Sequence, residues 1–92
     1  MKIQFVKTLD GLLWNADSPV AKEENRGKAS RVRVGNERTI MVILPCGHPA
    51  MLHGWKITDI DTDTPSATPS ILCSPKIPCW HGYLTNGELK SV

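Results

Sequence analysis

Two short phrases of the sequence place a thiol and an imidazole two positions apart. Residues 45–49 read Pro-Cys-Gly-His-Pro, and residues 78–82 read Pro-Cys-Trp-His-Gly. Zinc is held tetrahedrally by cysteine sulfur and histidine nitrogen. In extended backbone, residues i and i+2 point to the same side, so each C-x-H phrase can aim both donors at one point. Cys46, His48, Cys79 and His81 together make a Cys2His2 set. Cys73 and His53 are spare donors able to replace a member of it. A lone cysteine is most often a small buried hydrophobe. Two matched pairs in one short chain point instead to a shared ion.

A second metal chemistry competes. Rieske [2Fe-2S] centres also take two Cys and two His from two loops. The first phrase has the C-x-H spacing of such a loop, but only Trp80 separates Cys79 from His81, one residue fewer than the usual second loop. Zinc is therefore the expected cofactor, with [2Fe-2S] or no metal as the alternatives. A catalytic zinc would need an open coordination position and a nearby general base. The chain contains no H-E-x-x-H and no H-x-E with P-C-x-x-C. Asp59, Asp61 and Asp63 recur every second residue but lack the glycine and glutamate of an EF-hand loop, so they read as a solvated acidic turn. No G-x-S-x-G or phosphate-cradling glycine loop is present. A non-catalytic protein is expected.

These donors need a scaffold, and 92 residues supply one small domain. A core of that size is modest, so a stapling ion would matter. The chain is 40% hydrophobic and 22% charged, as in ordinary globular proteins. No apolar run approaches the roughly 20 residues of a membrane span. The opening M-K-I-Q-F-V-K lacks the apolar core of a secretory signal, and three cysteines cannot all pair within one chain. A cytoplasmic location without membrane contact is expected.

The pattern predicts a mainly β domain of six to seven short antiparallel strands with one short α-helix near residues 19–26. An N-terminal hairpin and the helix occupy 1–30, and a β region carrying the metal phrases occupies 31–92. Residues 2–7 alternate, Asp10-Gly11 is a hairpin turn, and L-L-W-N at 12–15 returns. Asp17 or Ser18 would cap the helix, Pro19 would open it, Glu23 and Glu24 suit its first turn, and Gly27 would stop it. Residues 30–34 alternate. Residues 38–44, R-T-I-M-V-I-L, form the most buried strand, running straight into the first Cys-His phrase. Residues 51–57 make a strand bulged at Gly54, residues 59–69 a loop, and residues 70–73 a short strand. Asn86-Gly87 closes a C-terminal hairpin. Alternation places Trp80 away from the metal, toward the core or a partner.

The net charge is only +2, but its distribution is uneven. Lys22, Arg26, Lys28, Arg31 and Arg33 cluster in the first half. Arg31 and Arg33 alternate with Val32 and Val34, so they share one strand face. Such a patch suits an acidic protein surface or a phosphate backbone.

From residue 64 onward the chain resembles short phage and prophage proteins of uncharacterised function. The residues that carry the resemblance are T-P-S-A-T-P-S-I-L-C and C-W-H-G-Y-L-T-N-G-E, with C-G-H and Trp55 upstream. It covers about residues 44–90. His48 stands where a cysteine is common in that family, and the proline phrase is longer than usual. The resemblance implies a phage origin, a metal site at Cys46, Cys79 and His81, and no established activity. It suggests a zinc-stabilised module that binds a host protein or nucleoprotein complex, for example to inhibit CRISPR or restriction machinery. An electrostatic nucleic-acid-binding protein and a small metalloenzyme or Rieske-like redox protein are the alternatives.

Overall fold

A computed structural model describes residues 1–14, 20–73 and 80–92. Among the described residues, ten short strands form two four-stranded sheets and a two-stranded ribbon. The first sheet has the order β1 (Gln4–Phe5), β4 (Lys28–Val34), β5 (Glu37–Ile43), β6 (Pro49–Met51). The second has the order β10 (Glu88–Ser91), β9 (His81–Thr85), β8 (Ser66–Leu72), β7 (Lys56–Thr58). The ribbon pairs β2 (Leu13–Trp14) with β3 (Val20–Ala21). The mainly β expectation holds.

The expected α-helix does not form. Val20 and Ala21 are drawn into the ribbon, and Ala21 donates its N–H to the Gly47 carbonyl at 2.8 Å. What remains of the helix is a single 3-10 turn, Glu23–Asn25, between extended Lys22 and Arg26. Pro19 and the proposed caps lie outside the described residues. The expected N-terminal hairpin is also replaced. Asp10-Gly11 does turn the chain, with Gly11 at φ +80°, but the strands on either side take other partners. β1 pairs in parallel with β4, and β2 pairs with β3. Residues 1–3 reach across to β10 instead: Ile3 N–H donates to Gly87 O at 2.9 Å and Leu89 N–H to Met1 O at 2.8 Å. The N-terminal segment thus sews the two sheets together along one side.

Period-two alternation sorts the side chains. Ile40, Val42 and Leu44 point from the first sheet toward Ala67, Ile71, Cys73, Leu84 and Leu89 of the second, and these residues form the main core. The opposite face of β5 turns Ile43 into a smaller cluster with Leu9 and Ala21. β5 is buried on both faces, as its unbroken apolar run foretold. Two expected elements shift. Residues 51–57 are not one bulged strand: Gly54, at φ +92°, sits in a turn over 52–55 that separates β6 from β7. The last strand before the metal phrase is longer than expected, because β8 begins at Ser66. Its pairing with β9 slips between Ala67 and Ile71, and Pro69, which has no N–H for the ladder, lies in that irregularity.

The C-terminal hairpin follows the Asn-Gly signal, with Asn86 at φ +49° and Gly87 at φ +77°. Trp80 packs against the main core, and its ring lies over Gly82. A Cβ on Gly82 would meet that ring at 2.5 Å and the Lys90 carbonyl at 2.2 Å, so only glycine fits. Among the described residues, no helix is long and apolar enough to cross a membrane.

Candidate metal centre

The first Cys-His phrase forms the turn between β5 and β6. Leu44 N–H donates to His48 O at 2.9 Å, and Gly47 N–H donates to Leu44 O at 2.8 Å, closing a tight loop. Gly47 takes φ +94°, a conformation that L side chains rarely adopt. The loop is braced from outside. The Gly47 carbonyl accepts from Ala21, and the Arg26 guanidinium donates from Nη1 to the Pro45 carbonyl at 3.3 Å. A Cβ on Gly47 would stand 3.1 Å from Arg26 Nε and 3.1 Å from the Ala21 carbonyl. Cys46 and His48 therefore leave a backbone that is fixed by its own bonds and by its neighbours.

The third donor comes from the other sheet. Cys73 follows β8 and continues the inward alternation of Ile71, and only 2% of it is exposed. Its N–H donates to Trp80 O at 2.9 Å. The Cys46 and Cys73 sulfurs are 3.6 Å apart, and His48 Nδ1 lies 3.4 Å from the first and 3.5 Å from the second. A tetrahedron with Zn–S bonds of about 2.3 Å and a Zn–N bond of about 2.0 Å has edges of roughly 3.8 Å and 3.5 Å. The three donors thus stand at nearly the spacing of three corners of one zinc tetrahedron, and the group could hold a metal ion.

This set differs from the one the spacing suggested. Cys46 and His48 meet as expected, and Cys73, a spare donor in the sequence, joins them. His81 does not. It pairs with Leu72 across β8 and β9, on the outer face, and its Nε2 is 2.9 Å from Ser70 Oγ. The cause is alternation: Gly82 and Leu84 turn inward, so His81, Tyr83 and Thr85 face solvent. His53 lies in the 52–55 turn, exposed, with Nδ1 3.5 Å from Glu37 Oε2. Cys79 lies outside the described residues. A signal for Cys73 is present in S-I-L-C, where the thiol falls two residues after an isoleucine, but the two matched C-x-H phrases are the stronger local pattern.

The basic cluster is largely committed within the fold. Arg31 opposes Ile40 across β4 and β5, and so faces inward. Its Nε donates to Ile60 O at 2.6 Å and its Nη2 to Thr62 O at 2.8 Å, while the guanidinium carbon lies 3.8 Å from the Phe5 ring centroid. Arg31 therefore clamps the acidic loop and is not an outward-facing contact residue. The strand face it shares with Arg33 is the inner one, opposite to that of Val32 and Val34. Arg26 braces the Cys-His loop, and Lys28 Nζ donates to Asn25 Oδ1 at 2.9 Å. Arg33 and Lys22 remain at the surface.

Beside this clamp, Arg38 and Asp61 form an exposed bidentate pair, with Nη1 to Oδ2 at 3.1 Å and a second bond from Nη2 to Oδ1. Hydrogen bonding to Arg38 holds the Asp61 carboxyl below its ordinary pKa, and the same bond raises that of Arg38. No family model, curated protein or solved structure matches the chain.

Proposed function

We propose that the chain is a non-catalytic binding module whose two sheets are stapled by one zinc ion held by Cys46, His48 and Cys73. The observation that carries this reading is the triangle of donors, with edges of 3.4, 3.5 and 3.6 Å. Cys79 is the proposed fourth ligand. It lies outside the described residues and is proposed on its pairing with His81 in the sequence and on its neighbour Trp80, whose carbonyl accepts from the Cys73 N–H. The resulting Cys3His set is a common structural zinc set, closed to substrate. The near-complete burial of Cys73 supports a structural over a catalytic ion. The convergence of all three donors on one point, with His81 on the outer face, favours a single ion over a two-iron cluster.

The partner we propose is a macromolecule of the host cell, in keeping with the phage resemblance, and inhibition of a defence complex fits that role. Protein is favoured over a phosphate backbone because Arg26, Arg31 and Lys28 each donate within the fold. Leu72 and Tyr83, 53% and 46% exposed, stand instead on the outer face of the second sheet. Elemental analysis of the purified chain tests the zinc assignment. About one zinc per chain is expected in the wild type and a clear loss in Cys46→Ser and Cys73→Ser. Full zinc in both variants would refute it.

A further inference from the structure

We propose that Cys46 and Cys73 form an oxidant-sensitive couple: a peroxide-class oxidant joins them in a disulfide and expels the ion they hold. The expelled ion rests on the zinc reading above, but the pairing of the two sulfurs does not. The sulfurs come from different sheets and from positions 27 residues apart, yet lie 3.6 Å from one another, at van der Waals contact. A disulfide S–S bond is about 2.05 Å, so bonding requires a closure of only about 1.5 Å. Other side chains do not have to be cleared from between them.

The two sulfurs differ in access, and this assigns their roles. Cys46 is partly exposed on its turn, whereas Cys73 is 2% exposed. A small oxidant reaches Cys46 first. Metal ligation keeps both sulfurs as thiolates, the nucleophilic form. In the first step the Cys46 thiolate attacks one peroxide oxygen, the O–O bond breaks, and a sulfenic acid forms with release of hydroxide. In the second step the Cys73 thiolate attacks the Cys46 sulfur, the S–OH bond breaks, and the disulfide forms with release of a second hydroxide. Sulfur gives up two electrons and the peroxide takes them. The zinc leaves with its oxidation state unchanged, because a disulfide sulfur is no longer a thiolate ligand. The link between the sheets survives in covalent form while the ion is lost.

The sequence makes the test direct. Trypsin separates the three cysteines onto peptides 39–56, 57–76 and 77–90. The wild-type chain, with its zinc measured beforehand, is titrated with hydrogen peroxide in the presence of a chromogenic zinc chelator. It is then digested without reduction. The expected result is a 39–56 to 57–76 cross-link, reversible by dithiothreitol, with one zinc released per cross-link. In Cys73→Ser, dimedone should trap Cys46 as a sulfenic acid. A cross-link between 57–76 and 77–90 would overturn the proposal, as would unaltered thiols or over-oxidation without any cross-link in several-fold excess peroxide. If the isolated chain carries no zinc, the zinc reading fails and the cross-link alone decides the pairing.

Discussion

Strand β5 runs between two corners where the sheets are tied, and the ties are of opposite kinds. At its start, Arg38 meets Asp61, and Arg31 on the neighbouring strand grips the carbonyls of Ile60 and Thr62. Past its end, Cys46 and His48 meet Cys73. The first corner joins two guanidinium groups to backbone carbonyls and to the Asp61 carboxylate, all supplied by the chain itself. The second gathers soft donors at the spacing of a metal site, and in the reading proposed above an ion between them makes the tie. A domain of this size has little core to spare, and on that reading it divides the work between a tie made by the chain alone and a tie that an ion completes.

The contrast can be broken from either end. The largest effect should follow removal of the ion: chelation, or Cys73→Ser, should lower unfolding stability by several kcal/mol, given the large coupling of structural zinc to folding. Urea unfolding with and without chelator measures this, and coincident curves would leave the second corner no different from any packed turn. At the first corner, Arg31→Met removes two charge-assisted hydrogen bonds and the contact with Phe5 and should cost about 2–3 kcal/mol. Its zinc content should not change, because the ties act independently.

The Asp61 contribution should be smaller and should depend on pH. Its carboxyl is held below its ordinary value in the folded chain. The stability it supplies is therefore fully present above the ordinary carboxylate pKa of about 3.9 and lost as pH falls through the lower folded value. Asp61→Asn should remove that acid-limb dependence and alter stability only slightly near neutrality, since the pair is solvent-exposed. His81→Ala should do least. Zinc content should be unchanged, and stability should shift by no more than about 0.5 kcal/mol.

The two corners also differ in how far the sequence disclosed them. The Cys-Gly-His turn was legible because its determinants are local: a buried β-branched strand, a glycine at positive φ and the i, i+2 donor pair. So was the Asn86-Gly87 hairpin. The identity of the third donor was not, since the choice between Cys73 and His81 depends on which face of the second sheet each occupies. That is set by the β8–β9 register, and the slip around Pro69 disguises β8 as loop. The Arg31 clamp was invisible for a related reason. Alternation grouped Arg31 with Arg33 correctly but could not say that their face turns inward at the sheet's end. The parallel pairing of β1 with β4 joins residues 24 apart, and no local turn signal reports such a contact.

The central claim is that sulfur from both sheets binds one ion together with His48. X-ray absorption at the zinc edge tests it most directly. The account predicts a first shell dominated by sulfur at about 2.3 Å with nitrogen at about 2.0 Å, losing one sulfur in Cys73→Ser. A shell of nitrogen and oxygen alone, or a sulfur count unaffected by Cys73→Ser, would contradict it.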